Sequence, residues 1–411
     1  MTPDRTRTGV LIACTTGNVV SKTPAIHAVF GTFLVPLSES FGWPRAAISV
    51  ALTIMALTGA VVYPIAGRFA DRHGARRMLI LGVAMFGLGV AGLSLGTGSL
   101  AQFYATFLFV SLFGSIASTP IYSKVIADWF DRGRGTALGI SAGLGNGLGS
   151  VMFPVVAAIV VGQYGWRAGY VAVGAIILLL GLPALTLLLR DPPRGQAAQA
   201  VEGAGLSLGE AMRLPHFWLI MVAIASGAGC TTAIFSHVVP ILSDRGYGIE
   251  IGTTVLSVFA LTTSGWQIAT GRLLDRVQTP RIVIPMAAMA ILGLALLEFG
   301  HGTPMLIAAG LCLGIGMGAQ YGALPYYIAR YFGTRAFGAI IGLMYSAVIA
   351  AQGVTPVLLD LGYDMQGSYR FAVLVACAAL AAGAALLLLL PRYGVVVPVP
   401  DERLAPGVAV G

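Results

Sequence analysis

Runs of apolar residues long enough to cross a bilayer recur from residue 10 to residue 391, broken only by short clusters of Gly, Pro and charge. A crossing needs about 20 such residues in helical form, because backbone exposed to lipid must satisfy its own hydrogen bonds. The chain therefore reads as an all-α membrane protein whose first partner is the lipid bilayer. Twelve spans are predicted, at 10–37, 45–67, 78–98, 101–128, 134–162, 168–189, 214–243, 251–271, 281–299, 304–329, 335–360 and 369–391. Charged residues make up only 10% of the chain, against about 25% in a soluble domain, so a soluble globule is excluded.

The longest polar stretch, Arg190 to Arg213 with Pro192-Pro193, divides the spans into two sets of six. The predicted organisation is an N-terminal six-helix bundle over 1–190, a cytoplasmic linker over 191–213, a C-terminal six-helix bundle over 214–392 and a tail over 393–411. A repeat supports the cut. Gly67-Arg68-Phe69-Ala70-Asp71-Arg72 returns as Gly271-Arg272-Leu273-Leu274-Asp275-Arg276, an offset of 271 − 67 = 204, each copy following the second span of its half. A weaker echo pairs Trp129-Phe130-Asp131-Arg132 with Tyr331-Phe332-Gly333-Thr334 after each fourth span. Tandem six-helix repeats are the mark of a two-lobed, pseudo-symmetric transporter with its site between the lobes.

The net charge of +8 comes from Arg in short loops, a topology signal that implies no nucleic acid. Arg5, Arg7, Arg68, Arg72, Arg76, Arg77, Arg132, Arg134, Arg190, Arg194, Arg213, Arg272, Arg276, Arg281, Arg330, Arg335, Arg392 and Arg403 fall on the side of the N-terminus, and only Arg45, Arg167, Arg245 and Arg370 on the other. A multi-pass protein of the inner (cytoplasmic) membrane with both termini in the cytoplasm is expected. The first apolar stretch has no small-residue cleavage site and reads as an uncleaved helix. Cys14, Cys230, Cys312 and Cys377 stand singly, without metal-ligand or disulfide spacing.

The run Gly67-Arg68-Phe69-Ala70-Asp71-Arg72-His73-Gly74-Ala75-Arg76-Arg77, placed between spans two and three, closely resembles the loop signature of the major facilitator superfamily. Phe41-Gly42-Trp43-Pro44-Arg45, Trp129 to Gly135, Gly165-Trp166-Arg167 and Phe217-Trp218 look like its monocarboxylate transporter and oxalate:formate antiporter branch. The resemblance implies the major facilitator fold, alternating-access transport of small organic acids, often with a proton, and a cavity lined by spans one, four, seven and ten. It also implies a substrate-binding Arg in span eight, one turn before the second loop motif. Here that position is Gln267, beside Trp266.

Lys22 lies about 12 residues into span one, roughly 18 Å from its start at 1.5 Å per residue, and an ammonium at that depth needs a wet cavity or a partner. It is the leading candidate to bind substrate and to take part in proton coupling. Lys124, the other lysine, lies one turn from Asp128 and is a second candidate, or a snorkelling side chain. No carboxylate is expected at mid-membrane, since Glu298 and Asp360, the deepest, lie near the external surface. The cavity should therefore favour an anion, with His237, or less readily His27, as the titrating group. Tyr122, Gln320, Tyr321, Tyr326 and Tyr327 could line the cavity, or pack between helices. Gly135, Gly139, Gly143 and Gly147 suggest a close helix contact, with Asn146 within reach of the cavity. Asp71, Arg72, Asp275 and Arg276 read as a cytoplasmic latch that pairs with neighbouring helix ends.

The predicted protein is a monomeric secondary active transporter of a small organic anion, most directly a proton-coupled monocarboxylate symporter. Organic-anion exchange is the alternative, and a non-transporting nutrient receptor a more distant one. The sequence holds no P-loop, HExxH or nucleophile elbow, so no enzyme, catalytic residue, metal or cofactor is expected.

Overall fold

The computed structural model describes residues 3–191, 205–277, 279–391 and 393. The linker residues 192–204 and the tail beyond 393, with Arg194, Arg392 and Arg403, lie outside the described residues. Apart from one isolated bridge between Gly205 and Gly333, the regular structure among the described residues is helical.

Nine helices there are long and apolar enough to cross a membrane. One of them, Arg134–Leu188, runs for 55 residues and turns back at Gly165, whose φ of 81° and ψ of 170° are not helical. It therefore makes two crossings, spans five and six. Two further crossings lie outside these nine for physical reasons. Span eight, Ile249–Arg276, is rich in Ser and Thr. Span one is interrupted into Pro3–Val19, Thr23–His27 and Phe30–Phe41. The span expected over 10–37 is therefore built of three helical pieces.

The interruption follows from Pro24, which has no N–H to donate and crowds the preceding turn. A π-helical turn over Thr23–His27 restores the ladder, with Ala28 N–H donating to Thr23 O at 3.0 Å. Span four breaks in the same way. It runs Leu100–Ile116 and resumes as Thr119–Trp129 ahead of Pro120, with Ser118 extended between the pieces. The two breaks meet: Asn18 accepts from the Thr119 hydroxyl at 2.7 Å and donates to Ser141 Oγ at 3.0 Å, joining spans one, four and five.

One apolar core lies wholly within residues 10–189, and two more draw on residues 211–390 with Tyr63 and Ala127 as outsiders. Between lobes the helices approach at glycines. A Cβ on Gly139 would lie 2.7 Å from Gln267 O, and one on Gly143 2.8 Å from Ser264 O. The span-five series thus faces span eight, while Gly145 and Gly149 face Asn18, Val19 and Pro24 of span one. Span ten carries a second series, Gly310, Gly314, Gly318 and Gly322, against the other side of span eight. Small residues at this spacing let helix backbones touch, which is how helices gain dispersion energy in lipid.

Candidate functional site

Lys22 stands at the break of span one, where the chain leaves α-helical geometry for the π-helical turn. It is 5% exposed. Its Nζ donates to Ser115 Oγ, at the end of the first piece of span four, at 3.0 Å. It also lies over the ring of Tyr63, 4.8 Å from the centroid. Among the described residues no carboxylate pairs with it. A buried ammonium has three donors and is costly without an anion; the hydroxyl and the ring face compensate only in part.

From Lys22 a chain of polar aromatics crosses to the other lobe. Tyr63 of span two meets Tyr345 of span eleven edge to face at 6.3 Å, and Tyr345 lies in the electrostatic neighbourhood of Tyr321 in span ten. Gln352 of span eleven donates to the Tyr321 hydroxyl and, at 3.0 Å, to Thr232 Oγ1 of span seven. The arrangement sets one cation in the N-terminal lobe opposite a neutral hydroxyl and amide cluster in the C-terminal lobe. Such a pair of surfaces suits a small molecule with one anionic end and one polar or aromatic end.

At the Arg-rich end the two repeated Asp residues each cap a helix of the opposite lobe. Asp71 accepts from Gly338 N–H at 2.9 Å and Ala339 N–H at 2.8 Å, in the first turn of span eleven. Asp275 accepts from Gly135 N–H at 2.9 Å, Thr136 N–H at 2.7 Å and the Thr136 hydroxyl at 2.8 Å, in the first turn of span five. A carboxylate there satisfies orphan N–H groups and complements the helix dipole. Arg72 and Arg276 are exposed and form no ion pair among the described residues. Replacing Asp71 by Asn keeps the shape but turns an NH2 group toward backbone N–H and Lys124. We expect Asp71→Asn to shift the lobes toward opening at this end by about five- to 150-fold. Maleimide labelling of cysteines placed along that end measures this, and labelling unchanged from the parent protein would argue against a latch.

The residues expected to bind substrate or to line a cavity fall in different places. Lys22 and Tyr321 lie on the chain just described. Lys124 lies in the latch, its Nζ 3.1 Å from Asp71 and 3.0 Å from Asp128, so its charge is already matched there. Tyr122 is buried against Gly17 inside the N-terminal lobe with its hydroxyl unpartnered. Gln320 turns to the back of the C-terminal lobe, against Gly227 and a small cavity lined by Val283 and Leu380. Trp266 packs on Gly318, and Gln267 lies on the inter-lobe seam beside Gly143. Tyr326 and Tyr327 donate to Leu274 O and Pro280 O, which fixes the loop after span eight and removes them from the cavity.

His237 lies near the end of span seven away from the Arg-rich side. Asp360 of span eleven, expected near the external surface, lies 2.9 Å from its Nε2 at that end. His27 is exposed at the end of the π turn, and Asn146 is held by Ser21 and Ala142 O. Ser115, Tyr63, Tyr345, Gln352 and Thr232 were not singled out from the sequence. Gln352, an amide within an apolar run, was the one with a readable signal.

The family model of the Major Facilitator Superfamily matches residues 23–347 and 255–408. The chain is 26% identical over 322 residues to monocarboxylate transporter 11 of Homo sapiens, an alignment covering 73% of this chain and 63% of that protein, so it spans less than two thirds of that relative's length. It is 27% identical over 369 residues to monocarboxylate transporter 13 of Bos taurus, covering 89% of this chain and 85% of that one. Among solved structures, the proton:xylose symporter XylE bound to 6-bromo-6-deoxy-D-glucose superposes with a TM-score of 0.74 at 13% identity, covering 94% of this chain and 96% of the other. That likeness concerns the fold.

Proposed function

The chain belongs to the Major Facilitator Superfamily, and from that premise we propose that this membrane transporter is a proton-coupled symporter of a small monocarboxylate. The observation that carries the reading is Lys22, a buried ammonium at a helix break with a hydroxyl and a ring face for neighbours and no carboxylate partner. Broken helices at mid-membrane free polar groups to face a substrate, and an ionisable residue there marks the path. The monocarboxylate transporters among the relatives support the same substrate class. The carboxylate binds Lys22, and Tyr63, Tyr345, Tyr321 and Gln352 hold the rest of the molecule.

In this reading the two lobes are 1–190 and 214–392, joined by a cytoplasmic linker, and the protein works as a monomer in the inner membrane. The Arg-rich end faces the cytoplasm, supported by the imbalance of loop Arg. The conformer described is then sealed on the cytoplasmic side by Asp71 and Asp275. His237 carries the coupled proton, its ring lying 2.9 Å from the Asp360 carboxylate across two helices. Exchange of two organic anions is the rival. A pH jump applied to vesicles holding no counter-substrate drives uptake by a symporter and not by an exchanger.

A thermal-shift screen of the purified protein tests the substrate class. Small monocarboxylates should stabilise it saturably, by about 2.7 kcal/mol at 100 times the dissociation constant, while neutral sugars and lipophilic cations should not. Within the anions, a lysine acts as a point charge and lacks the fork of an arginine. Lactate-like and aromatic monocarboxylates are therefore expected to compete better than oxalate. Stronger competition by oxalate would remove Lys22 as the main anion contact.

A further inference from the structure

His237 holds both ring nitrogens against acceptors. Nδ1 lies 2.8 Å from Ala233 O, and Nε2 lies 2.9 Å from Asp360 Oδ1. Ser236 Oγ is 3.0 Å from Nδ1 as well, and its one hydrogen can also reach Ala233 O at 2.9 Å or Thr232 O at 3.2 Å. Bonded to either carbonyl, the hydroxyl offers the ring only lone pairs. A neutral imidazole has one N–H and an ionised carboxylate has none, so this arrangement lacks a hydrogen unless the pair carries one more proton.

We propose that His237 and Asp360 form a shared proton-binding site that ties span seven to span eleven at the end of the protein remote from the latch. The proposal deepens the proton-coupled reading and rests on it for the role of the proton, though the site itself follows from the geometry. Asp360 is well exposed, with 55% of its side chain open, while the His237 side chain is 13% open; water on that side can therefore deliver the proton to a half-sheltered ring. When the proton leaves, Nδ1–H keeps Ala233 O and the Nε2 lone pair faces a carboxylate. Attraction between the two helices becomes repulsion.

The surroundings are acidic. Span seven contributes Asp244, which bonds Tyr363, and span eleven adds Asp364. Tyr369, at the head of span twelve, has its ring 5.8 Å from that of His237. Spans eight and nine offer Glu250 and Glu298, the latter within reach of Arg245 and Arg370. Arg245 is occupied by Leu297 O and Gly300 O.

The same two helices carry the polar cluster of the candidate site. Thr232 lies five residues before His237, Gln352 lies eight before Asp360, and the Gln352–Thr232 hydrogen bond is 3.0 Å. Eight residues of helix rise about 12 Å. Protonation at the rim thus sets the spacing of spans seven and eleven that lets Gln352 reach Thr232 and Tyr321 deeper in the protein. The proton and the substrate meet through a pair of helices and do not need to touch.

The test uses the full chain in lipid nanodiscs, with unfolding midpoints measured from pH 5 to pH 8 for the parent, His237→Gln, Asp360→Asn, the double variant and Asp360→Glu. The tied state holds the extra proton, so the parent should be most stable at pH 5 and lose stability toward pH 8. His237→Gln and Asp360→Asn should each remove the same part of that step, the double variant no more than either, and Asp360→Glu should retain it. Proton uptake between pH 8 and pH 5 should fall by about one per chain in His237→Gln. A step that survives Asp360→Asn, or losses that add, would overturn the shared site. Stabilisation by lactate is recorded at pH 5.5 in the same samples. A pH step without any lactate effect would sink the monocarboxylate reading and leave the shared site standing; a lactate effect without the step would do the reverse.

Discussion

Lys22→Ala is expected to lower saturable monocarboxylate uptake at least 100-fold while leaving the protein as well folded as before, or better. The first half follows from charge. A charge-assisted contact in a desolvated site is worth about 3 kcal/mol, and every 1.4 kcal/mol is a factor of ten in affinity. The C-terminal lobe opposite offers hydroxyls and an amide, which cannot replace a cation. The second half follows from burial. The ammonium spends one donor on Ser115 and leans on the Tyr63 ring, so removing it deletes little bonding and relieves an unmatched buried charge. Lys22→Met, close in volume, should behave the same way. A midpoint that drops by several degrees with uptake retained would mean that Lys22 holds spans one and four together and does not bind substrate.

Gly67→Ala and Gly271→Ala are expected to have the next largest effects, through the seam between the lobes. A Cβ on Gly67 would fall on the carbonyl of Gly338, and one on Gly271 on the carbonyl of Gly135. Backbone on both sides cannot rotate out of the way, so the helices must separate, an overpacking cost of about 1 to 3 kcal/mol or more. The same separation lengthens the Asp71 and Asp275 bonds, which sit one turn further along spans two and eight. Either variant should shift the protein toward opening at the Arg-rich end by about five- to 150-fold, and reduce transport accordingly, without lowering the stability of either lobe. Labelling of cysteines at the two ends, compared in the same preparation, reads the shift; equal labelling in variant and parent would show that the seam tolerates a methyl group.

How far such features were legible depended on the kind of signal. The crossings were readable because a bilayer demands long apolar runs, and Lys22 because a charge there is costly. The latch Asp residues, and a pairing with neighbouring helix ends, could be read from a repeat, but the part of Lys124 could not. Lys124 reaches Asp71 across 53 positions of sequence, a contact that no local pattern announces. Gln320 and Tyr321 are adjacent, yet about 100° apart on a helix, so one faces the back of its lobe and the other the cluster with Gln352. Tyr63 and Tyr345 carry no local pattern that marks them, and only the fold sets them edge to face. His237 was readable as a titrating group, but its partner lies 123 residues away. The breaks in spans one and four follow from Pro24 and Pro120; that they coincide in depth is a property of the packing.

The glycine seam around span eight also bears on how readily a carrier can cycle. Interlocked side chains have teeth, and parting them requires many rotamers to change together. Where span five meets span eight at Gly135, Gly139 and Gly143, bare backbone lies against the opposing helix. Dispersion there is broad but each atom pair contributes only about 0.1 to 0.2 kcal/mol, and no ratchet is set by shape. The directional resistance to parting is concentrated in the bonds that two carboxylates make to helix ends. The seam behaves as a smooth bearing held by two pins: wear on the bearing face by bulkier residues jams the motion, whereas weakening a pin only changes how long each side stays shut.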